Sequence, residues 1–170
     1  KTYPGRSYLK QEIIDSVKDC GYEYRESFDV SNDVAKLLAD GKIVGWFQGG
    51  SEYGPRALGN RSILCDPRKA VMKDILNHKV KHRENYRPFA PVVLQEEADK
   101  FFDIVGECPY MLQIVNVRED RKHEVAAINH IDGTARVQTL RRDQNEKLYD
   151  LIKAFGNITN VPVLVNTSFN

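Results

Sequence analysis

Hydrophobic residues recur along the chain at two spacings, and the switching between them predicts helices interleaved with strands. Leu9, Ile13, Ile14 and Val17 lie three or four apart, as on one helical face, and Gly21 follows where a helix would stop. Residues 9–20 are therefore expected to be helical. Ser31 suits an N-cap ahead of Val34, Leu37 and Leu38, and Asp40-Gly41 closes that second helix. The run Ile43-Val44-Gly45-Trp46-Phe47 reads as a buried strand. Pro55 suits the first position of a short helix through Arg56, Ala57 and Leu58. Residues 63–65 suggest a strand, and Met72, Ile75, Leu76 and Val80 give the next segment an apolar helical face. Residues 89–94, 111–117 and 134–140 read as strands, the last alternating small or apolar residues with Arg136 and Gln138. A helix over about 143–155, buried through Leu148, Leu151, Ile152 and Phe155, leads through Gly156 to a strand at 161–165.

With no repeat, low-complexity tract or linker between these elements, the expected class is α/β, bordering on α+β, with a mixed sheet. The 170 residues, 41% hydrophobic, suffice for one domain that buries roughly 70% of its unfolded surface. The formal charge of +1 conceals an asymmetry: residues 56–87 hold nine Lys or Arg against Asp66, Asp74 and Glu84. Cys20, Cys65 and Cys108 stand far apart without a C-x-x-C pair, which fits a reducing, cytoplasmic setting. No apolar run approaches the length of a membrane span, and no signal peptide opens the chain. The chain lacks an initiator Met and stops directly after an apolar strand, so it is expected to continue beyond residue 170.

Four segments carry candidate chemistry. Gly49-Gly50-Ser51-Glu52-Tyr53-Gly54-Pro55-Arg56 places a glycine-rich loop between a strand and a helix start, where backbone N–H groups and Arg56 suit an anion. It matches neither a Walker A sequence nor G-x-G-x-x-G, and a structural turn would explain it as well. In residues 77–91, Lys81 and Arg87 precede a pair of prolines and suit phosphate oxygens, or else belong to a solvated basic face. His78 and His82 are four apart, but no third ligand completes a metal set. Arg136, inside a strand, faces either water or an anion. Asn166-Thr167-Ser168 end a strand where ligands of open α/β sheets sit, or form a plain loop. No G-x-S-x-G and no Cys beside a His argue for covalent catalysis. The shared property is an excess of donors, suited to binding a transferring phosphoryl or acyl-phosphate group.

Together, Gly45-Trp46-Phe47-Gln48-Gly49, residues 52–64, Arg87-Pro88-Phe89-Ala90-Pro91, residues 132–138 and Asn166-Thr167-Ser168-Phe169-Asn170 resemble the carbamoyltransferases of the nodulation-factor and aminoglycoside-antibiotic type. The resemblance covers nearly the whole chain. It implies a C-terminal, YrdC-like domain, a twisted mixed sheet flanked by helices, whose N-terminal Kae1-like partner domain carries an iron-type metal and is absent here. It further implies that carbamoyl phosphate and ATP, with Mg²⁺, are converted to carbamoyl adenylate and pyrophosphate, and that the N-terminal domain passes the carbamoyl group to an acceptor hydroxyl. The family's phosphate and nucleotide ligands fall on Arg56, Lys81, Arg87, Arg136, Asn166 and Ser168, with Arg56, Lys81 and Arg87 as the catalytic cations. Converging cations suit the several negative charges of those substrates. The alternative from another class is a non-catalytic RNA-binding module using the basic stretch 79–87, for which only Tyr86 and Phe89 offer stacking.

Overall fold

The computed structural model describes residues 2–169; Lys1, and Asn170 at the end of the last motif, lie outside the described residues. The elements are α1 (Lys10–Asp19), α2 (Val30–Ala39), β1 (Val44–Phe47), β2 (Arg61–Cys65), α3 (Val71–Ile75) running into a π-helical turn (Leu76–Lys81), β3 (Ala90–Leu94), α4 (Ala98–Phe101), β4 (Gln113–Asn116), β5 (Thr134–Leu140), α5 (Glu146–Thr159) and β6 (Val163–Ser168). Two 3₁₀ segments, Gln95–Glu97 and Glu119–Val125, complete the helical content of the described residues. Among the described residues six strands form one mixed sheet in the order β1-β2-β6-β3-β5-β4, antiparallel except for the β3–β5 pair. The α/β class expected from the sequence is the one observed.

Strand periodicity decides what each face of the sheet covers. Ile63 and Cys65, Val93, Ala135 and Val137, and Val163 and Val165 point to one face, where they pack with Met72, Leu76, Phe101, Phe102, Val125 and Ile128. Leu64, Val92, Leu94, Leu140 and Leu164 point to the other, under α2 and α5 through Leu38, Leu148, Leu151, Ile152 and Phe155. Each of those helix residues is fully buried, which contributes on the order of 1.5–3 kcal/mol per large side chain. Toward one end, this second face changes character. Ser62, Gln138 and Asn166 replace the leucines and are buried, and the helices no longer lie over them.

Several boundaries depart from expectation. The N-cap of α2 is Asp29, whose carboxylate accepts from the Asn32 backbone N–H at 3.1 Å, so Ser31 falls in the first turn. Helix α5 starts later, at Glu146 behind the cap Asn145, and Gly156 lies inside it; the left-handed residue that ends it is Asn160, with φ 61°. Gly156 sits there because the helix passes tightly over Pro162: an added Cβ would be 2.9 Å from the proline Cβ. β1 is an edge strand rather than a buried one, with only Trp46 covered and Phe47 54% exposed beneath the Arg61 guanidinium, 3.5 Å from its ring centroid. Helix α1 forms as the spacing predicts, yet none of its residues is buried.

Candidate functional site

The loop of residues 48–60 covers the polar end of the sheet. No helix opens at Pro55. Instead one carboxylate oxygen of Glu52 accepts the backbone N–H groups of Leu58 (2.8 Å), Asn60 (2.7 Å) and Arg61 (3.0 Å), turning the chain around an internal anion. The helix start expected at Pro55 is therefore absent, and the backbone N–H groups that follow it, at Leu58, Asn60 and Arg61, are spent on Glu52. Gly59, at φ 108°, lets the loop press against α5, where a Cβ would collide with Leu148. Arg61 closes the loop from outside, donating to the Gln48, Asn60 and Gly49 carbonyls at 2.6, 2.9 and 2.9 Å.

Buried amides fasten the same loop to the sheet. Gln138 Nε2 donates to the Leu58 carbonyl (3.2 Å), which also accepts the Tyr3 hydroxyl (3.0 Å). Asn166 Nδ2 donates to the Ala57 carbonyl (3.0 Å) and to Gln138 Oε1 (2.8 Å). Asn145 Oδ1, while capping α5, accepts from Gln48 Nε2 at 2.9 Å, and its Nδ2 donates to Asn60 Oδ1 at 2.9 Å. The network of Tyr3, Gln48, Glu52, Asn60, Gln138 and Asn145 was not singled out from the sequence. Gln48, Glu52, Asn60 and Gln138 fall inside the family-like motifs but carried no site role there, and Tyr3 and Asn145 had no signal, since an amide becomes part of a site through partners as many as 142 residues away.

Beneath this loop is a cleft of about 140 Å³, lined among others by Arg56, Arg83, Arg136, Asn166 and Ser168. Asn166 and Ser168 belong to β6, which runs on past the expected boundary at residue 165 and pairs with β2, Leu64 opposite Asn166 and Ser62 opposite Ser168. Arg136 comes from β5 on the same face as Gln138. Of the six residues singled out for the site, four thus share the cleft. Lys81 reaches it indirectly, its ammonium donating to the Ser168 carbonyl and lying 3.4 Å from Ser168 Oγ. Arg87 does not line it: its Nε donates to Glu84 at 2.9 Å on the exposed side of the connecting loop. Arg83, not singled out, lines the cleft instead.

Electrostatically the cleft is a concentration of like charge. None of Arg56, Arg83 and Arg136 is within 4 Å of a carboxylate among the described residues, whereas Arg87 pairs with Glu84 and Arg68 with Asp66 at 2.7 Å. Burial, then the charge of Arg56, disfavours the charged form of Arg136; burial, then Arg87, does the same to Arg83. Burial, then Arg83, lowers the Lys81 ammonium. Arg136 Nε and Asn166 Oδ1 are shielded from solvent and have no hydrogen-bond partner among the described residues. The unpaired Arg136 Nε–H beside unpaired cations marks a place that an anion would complete, whereas Asn166 Oδ1, an acceptor, calls for a ligand N–H or O–H. A more apolar hollow of about 410 Å³, lined by Tyr53, Leu58, Tyr110, Met111 and Leu112, adjoins the cleft through Pro55 and Arg56. Among the described residues no group of three or more His, Cys, Asp or Glu has a metal-holding arrangement. Cys65 is buried, its thiol pushed up by burial and then by Asp66, which leaves it unsuited to nucleophilic attack.

Known proteins resemble this chain in both sequence and fold. It is 52% identical over 145 residues to nodulation protein NolNO of Sinorhizobium fredii, covering 84% of this chain and 21% of that protein. It is 46% identical over 139 residues to the 3'-hydroxymethylcephem-O-carbamoyltransferase of Amycolatopsis lactamdurans, covering 82% of this chain and 26% of that one. The chain thus spans about a quarter of the length of these relatives. Among solved structures, T. kodakarensis HypF superposes with a TM-score of 0.57 at 18% identity, over 86% of this chain and 18% of HypF. A full-length HypF in its phosphate- and nucleotide-bound form gives 0.54 at 19%, over 85% of this chain and 18% of that one. At such identities the likeness concerns the fold, and it agrees with the YrdC-like mixed sheet expected from the sequence. Among the described residues no helix is long and apolar enough to cross a membrane. Residues 35–170, including every cleft residue named above, match the carbamoyltransferase C-terminus family model, and the chain belongs to that family.

Proposed function

We propose that this domain binds carbamoyl phosphate and ATP and forms carbamoyl adenylate, which an N-terminal Kae1-like domain of the full-length protein uses to carbamoylate an acceptor hydroxyl. The observation that carries this reading is the convergence of Arg56 and Arg136 with Asn166 and Ser168 on one cleft lined by no carboxylate. Cations fixed before the substrate arrives offset phosphate repulsion without reorganisation at the moment of reaction. The cleft would take the phosphates, and the adjoining hollow at Tyr53, Tyr110 and Met111 would take the flat base.

Atom balance requires one water: it releases phosphate from carbamoyl phosphate, the carbamate oxygen then bonds to the α-phosphorus, and the bond to the β-phosphate breaks to release pyrophosphate. Arg56 and Arg136 would hold the developing negative charge, and Lys81 would fix Ser168 at the cleft edge. The cleft offers Mg²⁺ no carboxylate ligands, and both Asn166 amide hydrogens are spent within the protein, so this chain's part would rest on its arginines; an iron-type metal would belong to the other domain. A cytoplasmic setting fits three free cysteines. The RNA-binding reading draws little support from the basic stretch, because Lys81 is spent on Ser168 at the cleft edge, Arg83 lines the cleft and Arg87 is paired with Glu84, so the three do not form an open basic face.

The test is carbamoyl phosphate-dependent exchange of pyrophosphate into ATP, with calorimetric titration of each substrate. Wild-type protein should bind both, and Arg56→Ala should weaken binding by about tenfold or more. Binding of neither substrate by the wild type would sink the function, and unchanged titrations in Arg56→Ala would sink the site.

A further inference from the structure

The connection between α3 and β3 is built so that one buried side chain sets the position of an arginine. Asn77 lies in the π-helical turn and is fully buried. Its Oδ1 accepts from Arg83 Nε at 2.8 Å. Its Nδ2 donates to the carbonyls of Arg87 (3.1 Å) and Asn85 (3.4 Å). Its own backbone carbonyl accepts the N–H groups of His82 and Arg83. All three side-chain hydrogen-bonding directions in use therefore go to one short loop.

The turn itself is irregular. A π-helical turn widens the helix, and such turns mark functional sites more often than chance. Here it ends on His82 in the left-handed region, φ 48°, which reverses the chain and brings Arg83 back over the Phe89 ring, 4.8 Å from its centroid. Neither terminal nitrogen of Arg83 has a hydrogen bond or carboxylate partner among the described residues, and Arg83 lines the cleft with Arg56 and Arg136. An arginine anchored through Nε and stacked on an aromatic keeps its other donors free and aimed.

We propose that Arg83 is a third anion-binding arginine of the cleft, gripping a phosphate of the bound substrate, and that Asn77 is the residue that positions it. The inference rests on the anion-binding reading of the cleft, though not on carbamoyl chemistry. Inorganic pyrophosphate is accordingly the probe, titrated calorimetrically into wild type, Arg83→Met, Arg83→Lys, Asn77→Leu and the Asn77→Leu/Arg83→Met double variant, with thermal melting of each. Arg83→Met should melt near the wild-type temperature and lose about ten- to a hundredfold in affinity, the scale of a charge-assisted hydrogen bond or two. Arg83→Lys should recover part of that loss.

A positioning residue acts through its partner, so the double variant should bind no more weakly than Arg83→Met alone. Should Asn77→Leu fail to fold, Asn77→Asp, which keeps the acceptor for Arg83, should retain affinity while melting lower. Equal pyrophosphate affinity in wild type and Arg83→Met overturns the assignment of Arg83. Fully additive losses in the double variant overturn the positioning role of Asn77. A wild type that binds carbamoyl phosphate and ATP while Arg83→Met does so equally well overturns this inference alone. A wild type that binds neither substrate but holds pyrophosphate tenfold or more tighter than Arg83→Met supports it and removes the carbamoyl-adenylating function.

Discussion

At the scale of single residues, Glu52 shows how a charge can serve the site without touching a ligand. Its one oxygen holds three backbone N–H groups, so Glu52→Ala strands them under the loop and should cost about 3 kcal/mol or more, against roughly 1 kcal/mol for Glu52→Gln, which keeps a neutral acceptor. Denaturant unfolding checks the order of the two. His130 supplies a pH dependence. Burial, together with Lys73 and Arg136, lowers its imidazole below the ordinary 6.5, against an opposing pull from Asp132, and its Nδ1 lies 3.1 Å from Thr134 Oγ1. The unfolded chain then takes up the proton first, so this contribution to stability is complete above about pH 6.5 and is lost as the pH falls below it. Melting curves between pH 7.5 and 5.5 should show that slope, and His130→Gln should flatten it.

At the scale of elements, the contact between α5 and β6 governs the site from behind. Gly156 lets the helix cross Pro162 closely, and α5 also begins on Asn145, the amide that ties Gln48 and Asn60 together. Gly156→Ala gains about 1 kcal/mol of helix propensity but forces a rigid ring aside, so a net loss of about 1 kcal/mol or more is expected. Thermal unfolding reads it directly, and a stabilised variant would show that the helix has room to move. Periodicity made α5 and the central strands legible in the sequence, because Leu148, Leu151, Ile152 and Phe155 repeat on one face. The register of β6 was not legible past Val165: Asn166, Thr167 and Ser168 look like loop residues until β2 supplies their backbone partners. For the same reason Pro55 suggested a helix, whereas Glu52, three residues earlier, captured the N–H groups that follow.

At the scale of the whole molecule, three arginines share one unpaired cleft in a chain whose net charge is only +1. Self-repulsion there makes the empty cleft costly and an anion stabilising. Pyrophosphate at a hundred times its dissociation constant should add about 2.7 kcal/mol, a rise in melting temperature of roughly 5–10 °C for a domain of this size. The rise should shrink with added salt, since screening weakens a partly exposed charge cluster. Arg56→Ala should remove most of it, whereas an exposed and already paired arginine such as Arg142, bound to Glu146 at 2.7 Å, should be replaceable without effect.

The sequence by itself determined the family, the α/β class and four of the residues in the cleft, because those rest on short-range patterns: apolar period, glycine placement and ordered motifs. Tertiary structure alone decided that Arg83 rather than Arg87 enters the cleft, that Asn166 spends one amide hydrogen on the loop at Ala57 and the other on Gln138 of β5, and that the N–H groups of Leu58, Asn60 and Arg61 turn to Glu52. A side chain's direction follows from strand pairing and from buried partners such as Asn77, which lie in other segments of the chain, and no local spacing encodes it.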